Sequence, residues 1–218
     1  MKIEKIGFVV GLTAEKALFK GTPFLGGVGG GTPEGAADVS RLLIEEGAAA
    51  LVSFGLAGGL NPALAPGAVL VPDRVVEGGN AYQCDPALVA WLGGATMGTM
   101  LGGAKIAVTA AEKASLFAAF GADAIDLESG AVARVALAHG LPFGVLRAVA
   151  DPAERNLPPA ALIALNQAGQ IGFLRVLASV FRNPGQIPAL LALAKDAAAA
   201  RRALAGRLNV IAGYTNGK

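Results

Sequence analysis

The amino-acid sequence predicts an α/β sandwich, a largely parallel sheet buried between layers of small-residue helices. Three observations carry that expectation. Apolar runs of strand length alternate with helical stretches, and no internal repeat interrupts the alternation. Hydrophobic residues make up 54% of the 218 positions and charged residues only 16%, the balance expected of strands covered on both faces. Glycine and alanine are abundant, which suits close packing of helices on a sheet.

Residues 3–11 read as the first strand, and residues 13–19 open a short helix behind it. Residues 23–28 form a second strand that runs into a glycine loop ending at Gly31. Thr32-Pro33-Glu34 starts a helix, since Thr caps and Pro fits the first turn. That helix should reach Glu46, where Gly47 stops it. Residues 49–54 are a buried strand, followed by a turn reading Gly55-Leu56-Ala57-Gly58-Gly59, and residues 69–76 are another strand. Residues 77–103 are rich in glycine, show no clear period and yield no assignment. Residues 106–108 read as a short strand, and Thr109 with Glu112 forms a capping box for a helix to Phe120. Residues 124–151 supply a strand, a helix and a second strand; Pro152, Pro158 and Pro159 make the next segment a loop. The tail, residues 171–208, holds two helical stretches split by Asn183-Pro184-Gly185. One domain over residues 1–218 is expected, with its core at about 3–160 and a helical extension at about 171–208.

Composition excludes several classes. The net charge of +2 comes without a long basic run, so nucleic acid is not an expected partner. Cys84 is the single cysteine and His139 the single histidine, which rules out an internal disulfide and a Cys/His metal site. Neither a secretory signal nor an apolar run of about 18 residues is evident, and a cytoplasmic protein is expected. Thr32 takes the last position of what would be a Gly-x-Gly-x-x-Gly loop and no Walker sequence occurs, so no nucleotide or other organic cofactor is expected.

The chemistry concentrates in residues 124–151. There an apolar strand ends in Asp126 and Glu128, a small-residue helix follows, and a second apolar strand ends in Arg147 and Asp151. Acids at the exits of two buried strands meet in one pocket, because open α/β sheets bind ligands at the carboxyl ends of their strands. Alone, Asp151 reads equally well as a loop or capping acid before Pro152, Glu128 as an acid favouring a helix N-terminus, and Glu15 as an exposed helical residue.

This segment, Asp126-Leu127-Glu128 through Arg147-Ala-Val-Ala-Asp151, resembles the signature of the purine nucleoside phosphorylase and nucleosidase superfamily. Gly55-Leu56-Ala57-Gly58-Gly59 is similar to that family's glycine turn, and Gly27-Val28-Gly29-Gly30 to an earlier one. The resemblance covers roughly residues 3–152 and implies a three-layer α/β/α sandwich with a mixed central sheet and a homo-oligomer. It implies a general-acid role for Asp151, which would protonate a purine on its imidazole ring, and ribose binding by Glu128, with Leu127 as an apolar wall and Asp126 in support. Ala57 and Gly58 would lie against base and sugar, and Lys105 and Ile106 would edge the adenine. Relatives place Arg147 near a catalytic water or phosphate; a structural ion pair with Glu15 or Glu128 is the alternative. A water-activating Glu belongs at the start of the first helix, where the register falls between Glu15 and Lys16; Glu15 is chosen because a carboxylate can deprotonate water. Two positions depart from the pattern: Ala150 replaces a Ser before the acid, and Leu56 stands where phosphorylases keep Ser or Thr for phosphate. The second departure favours water, with phosphate as the other candidate co-substrate.

The tail Arg182-Asn-Pro-Gly-Gln-Ile-Pro-Ala-Leu-Leu, together with Arg147 through Pro159, is similar to the hopanoid-associated phosphorylase family. That narrower resemblance implies adenosylhopane as substrate and adenine as product. The implied alternatives are a methylthioadenosine/S-adenosylhomocysteine nucleosidase and a non-catalytic nucleoside-binding protein. A mean hydropathy of +0.55 and the apolar tail with basic punctuation lead to the expectation that the C-terminal helix contacts a membrane surface or a lipid-linked substrate, against the plainer expectation that it packs on its own domain.

Overall fold

Alternating side chains along the inner strands divide the core into two halves, one on each face of the sheet. In this computed structural model residues 5–162, 179 and 181–213 are described. β1 (Ile6–Val10) lies between β2 (Leu25–Val28) and β3 (Ala50–Gly59), parallel to both, and β3 continues parallel to β9 (Phe143–Asp151). All residues of β1 and β9 are buried, which is why these segments read as unbroken apolar runs.

The remaining strands make the sheet mixed. β4 (Val69–Leu70) runs antiparallel to β9, and β8 (Ala124–Asp126) runs antiparallel to the end of β3. β8 leads through β7 (Met97–Gly102) and β5 (Pro72–Glu77), both parallel, to the antiparallel edge strand β6 (Asn80–Gln83).

Val9, Leu51 and Val145 point to one face, where α2 (Pro33–Glu45) and α5 (Ser129–Ala138) pack over them. Phe8, Val52 and Leu146 point to the other, against Phe19, Phe24, Leu88 of α3 (Pro86–Trp91) and the C-terminal helix. The result is the expected three-layer α/β/α arrangement with a mixed central sheet. α1 (Thr13–Lys16), α4 (Ala110–Phe120) and α6 (Pro159–Leu162) are short elements at the strand ends.

Helix starts follow their sequence signals closely. Thr32 Oγ1 accepts from Gly35 N with Pro33 in the first turn, and Thr109 Oγ1 accepts from Glu112 N while Glu112 reaches back to Val108 N.

Several boundaries differ from expectation. Residues 55–59 are the second half of β3 rather than a turn, because β9 keeps pairing with them up to Gly58↔Asp151, across a bulge at Ala57/Gly58. Residues 106–108 belong to a loop, not a strand. Residues 77–103 contain a hairpin, a helix and a strand where none was assigned. Most of the first helical stretch of the tail lies outside the described residues.

The second stretch is α7 (Ile187–Gly213), whose Ala200, Leu204, Leu208 and Ile211 are buried in the core beside Val52 and Ala148. At spacings of three and four these residues form an apolar seam that the sheet covers, so this face of the helix packs on its own domain, while Ile187, Leu191 and Val210 on the same helix stay exposed. No helix among the described residues is long and apolar enough to cross a membrane.

Candidate active site

The carboxyl ends of β1, β3, β8 and β9 converge on a cavity of about 260 Å³, and every sequence-chosen residue lines it: Glu15, Ala57, Gly58, Ile106, Asp126, Leu127, Glu128, Arg147 and Asp151. Parallel strands bring this about directly, since their chain reversals place loops from distant segments at one edge.

Glu15 enters from α1, just beyond β1, and is 1% exposed, whereas Lys16 faces solvent. Its Oε2 accepts from Leu12 N at 2.8 Å and its Oε1 from Leu56 N at 2.9 Å. The glycine beneath it is required: Gly55 has φ +145°, and a Cβ there would lie 2.5 Å from Oε1. Gly11 has the same relation to Glu128, whose Oε1 would collide with any side chain at that position.

Arg147, in β9 opposite Gly55, is the hub of the pocket floor. Its Nη2 pairs with Glu128 Oε2 at 2.7 Å and donates to Ser53 Oγ at 2.6 Å, and its Nη1 donates to Leu56 O at 3.2 Å. Nε lies 2.9 Å from Asp126 Oδ2 as an ion pair, without hydrogen-bond alignment. The structural alternative weighed for this Arg, an ion pair with Glu128, is thus present.

Asp126 has a local task as well. Its Oδ1 accepts from Glu128 N at 3.2 Å and Ser129 N at 2.9 Å, capping α5, while Oδ2 accepts from Ser129 Oγ. The cap orients Glu128 at the helix start, so the acid is there by backbone construction rather than as a decoration of the helix terminus.

Electrostatics follow from three buried acids around one cation. Burial pushes Glu128 up to about 7; Arg147 opposes this, and Asp126 and Glu15 add to it. Glu15 is raised by burial as well, against the pull of Arg147 and three backbone amides. For Arg147, burial alone would lower the value, yet Asp126, Glu128 and Glu15 outweigh it and keep the guanidinium charged.

Asp151 lines the same cavity from the end of β9. Burial raises its pKa against the hydrogen bond from Lys113, whose Nζ lies 2.6 Å from Oδ2. Its Oδ1 is buried with no partner, and Asp151 lines the cavity. A buried carboxyl oxygen left without a partner costs free energy unless a ligand completes it.

Sequence reasoning missed Lys113, Ser53, Leu157, Leu162 and Leu193. Lys113 is 0% exposed although it sits on a helix of undistinguished polarity. Leu162 from α6 and Leu193 from α7 reach the cavity from the tail, and no local pattern announces such a long-range contact.

Residues 9–170 match the phosphorylase superfamily. The chain belongs to the phosphorylase superfamily, a family of enzymes. Solved structures agree on the fold. The chain is similar to S-adenosylhomocysteine nucleosidase from Streptococcus pyogenes, in complex with 5-methylthiotubericidin, at TM-score 0.72 and 19% identity, covering 98% of this chain and 97% of that one. It is similar to the 5'-methylthioadenosine/S-adenosyl homocysteine nucleosidase of Helicobacter pylori at TM-score 0.73 and 14% identity, covering 98% and 100%. The corresponding nucleosidase from Colwellia psychrerythraea, in complex with adenine, gives TM-score 0.64 and 19% identity over 80% and 94%. Among curated proteins, none matches the chain.

Proposed function

We propose that this phosphorylase-superfamily enzyme cleaves the N-glycosidic bond of an adenine nucleoside with an apolar 5′ substituent, adenosylhopane being the substrate the sequence favours, and releases adenine. The observation that carries the reading is that two separate acid groups line one cavity. Asp151 offers an unpartnered Oδ1, and Glu15 and Glu128 stand around Arg147.

In this reading Asp151, its carboxyl held protonated more readily by burial, gives its proton to the imidazole ring of the departing adenine. Glu128 accepts hydrogen bonds from the ribose hydroxyls and stabilises the positive charge that develops on the sugar. Glu15, fixed by two backbone amides and with a raised pKa, takes a proton from the attacking water. Water is favoured over phosphate because Arg147 is already paired with Asp126 and Glu128, and these acids with Glu15 would repel a phosphate beside it.

The apolar side of the cavity supports the lipid-linked substrate. Leu56, Ile106, Leu157, Leu162 and Leu193 line it, and two of these come from α6 and α7, which follow the last strand. The same reading keeps the enzyme a homo-oligomer, for which Leu42 and Leu137, exposed on the paired helices α2 and α5, offer an apolar surface.

The test is adenine release from adenosylhopane in detergent, with and without phosphate, with methylthioadenosine alongside. Release from the hopanoid without phosphate is expected. Release from methylthioadenosine alone would transfer the function to the soluble nucleosidases, and a phosphate requirement would replace water as nucleophile. No release from any nucleoside, with adenine still bound, would make the protein a nucleoside-binding one.

A further inference from the structure

The reaction proposed above uses Asp151 but leaves unexplained the fully buried lysine beside it. Lys113, on α4, has all three ammonium hydrogens satisfied: Asp151 Oδ2 at 2.6 Å, Pro152 O at 2.9 Å and Arg155 O at 2.8 Å. Stability is a weak reason for such a residue. Burying a lysine carries a desolvation cost that its pairing only offsets, and a well-packed apolar replacement is often as stable.

The geometry gives it a better reason. Lys113 occupies Oδ2 alone, so the carboxyl is fixed in one orientation and Oδ1 is the oxygen left for a ligand. Two other charges reach Asp151. Arg155 faces it from the loop after β9, and Asp196 from α7; the two pair with each other. The loop carbonyls that bind Lys113 are therefore tied down in turn by the C-terminal helix. Lys113 is the one cation in direct contact with Asp151 among the described residues.

We infer that Lys113 is a positioning residue for Asp151: its ammonium fixes Oδ2, presents Oδ1 to the purine, and sets the pH at which the acid gives up its proton. This rests on the reaction proposed above, in which Asp151 is the proton donor. Opposite charge at this distance favours the carboxylate, so the lysine makes Asp151 a stronger acid than burial alone would leave it. The proton then passes more readily to the leaving base, and the carboxylate left behind is stabilised where it forms.

The experiment uses Lys113→Gln, which keeps amide donors for the loop carbonyls and removes the charge, and Lys113→Met, which keeps the shape, in parallel, so that either variant can decide if the other does not fold. Thermal melts establish folding. Titration of the Asp151 carboxyl is followed by NMR on protein with ¹³C-labelled aspartate, the signal being assigned by its loss in Asp151→Asn. The expected result is an Asp151 pKa about 1–3 units higher than in the parent, with the alkaline limb of kcat/KM moved the same way and kcat down by about 10- to 100-fold. Lys113→Arg is expected to return the limb towards the parent position. An Asp151 titration that does not move in a folded Lys113→Gln or Lys113→Met protein overturns the inference. The NMR titration needs no turnover, so a parent enzyme that releases no adenine refutes the proposed reaction separately.

Discussion

Gly55→Ala is the sharpest perturbation of the site, because it changes no charged group and yet should displace one. In the parent a Cβ at Gly55 would lie 2.5 Å from Glu15 Oε1, 2.8 Å from its Cδ and 2.9 Å from Oε2. Ordinary contact needs about 3.4 Å or more between such atoms, so the carboxylate must retreat by roughly 1 Å. The retreat breaks or stretches its bonds to Leu12 N and Leu56 N. Backbone strain comes in addition, since φ +145° suits glycine alone and costs on the order of 1–3 kcal/mol for another residue. A misplacement of about 1 Å in a catalytic group lowers the rate by roughly 10²-fold. The assay is initial-rate adenine release, with a thermal melt to separate strain from mispositioning. A double-mutant cycle then isolates the cause: in a Glu15→Ala background, Gly55→Ala should bring no further loss of rate. Losses that simply add would refute the claim that the glycine acts through Glu15, and a Gly55→Ala enzyme with parent kcat/KM would refute the role of that carboxylate's position.

Three further outcomes are expected. Asp151→Asn should lower kcat for adenine release by about 10²–10⁴-fold while adenine itself still binds; isothermal titration and steady-state rates check this, and full activity would remove the proposed acid. Glu128 titrates near 7 in the fold against an ordinary 4.5, so the folded chain holds its proton more tightly than the unfolded one. Its contribution to stability is full below about 4.5 and is lost as pH rises to about 7; urea midpoints should fall across that interval and fall less in Glu128→Gln. Leu204→Ala, in the buried seam of α7, should cost about 2–5 kcal/mol in urea unfolding; Leu191→Ala on the same helix is 67% exposed and should cost under about 0.5 kcal/mol. Equal small effects would mean that α7 does not belong to the core.

How far the sequence could be read depended on where each signal lies along the chain. β1, α2 and residues 124–151 were legible because doubly buried parallel strands are unbroken apolar runs, and because Thr32-Pro33 and Gly47 mark a helix at both ends. Residues 77–103 were not, since β6 is an exposed edge strand without alternation and β7 carries Gly98, Thr99 and Gly102 among its six residues. Even there two signals existed. Gly78-Gly79, both at positive φ, joins paired Glu77 and Asn80 as a two-residue hairpin turn, and Asp85-Pro86 caps and opens α3.

The carboxylates of the candidate site were readable for a related reason: each follows a buried strand, where an acid is conspicuous. Their controlling partners were not. Ser53 is one small residue inside an apolar strand, and Lys113 looks like any solvated lysine on a helix until the fold removes it from water. A site's charged groups can thus be found from local contrast, whereas the groups that tune them are defined only by what the chain brings beside them. That asymmetry is why Asp151 stands out in the sequence and its buried partner, 38 residues earlier, required the fold: the separation of Lys113 from Asp151 is closed by β8, α5 and β9, and it is the closing of that loop, not any motif, that brings the ammonium to the carboxyl.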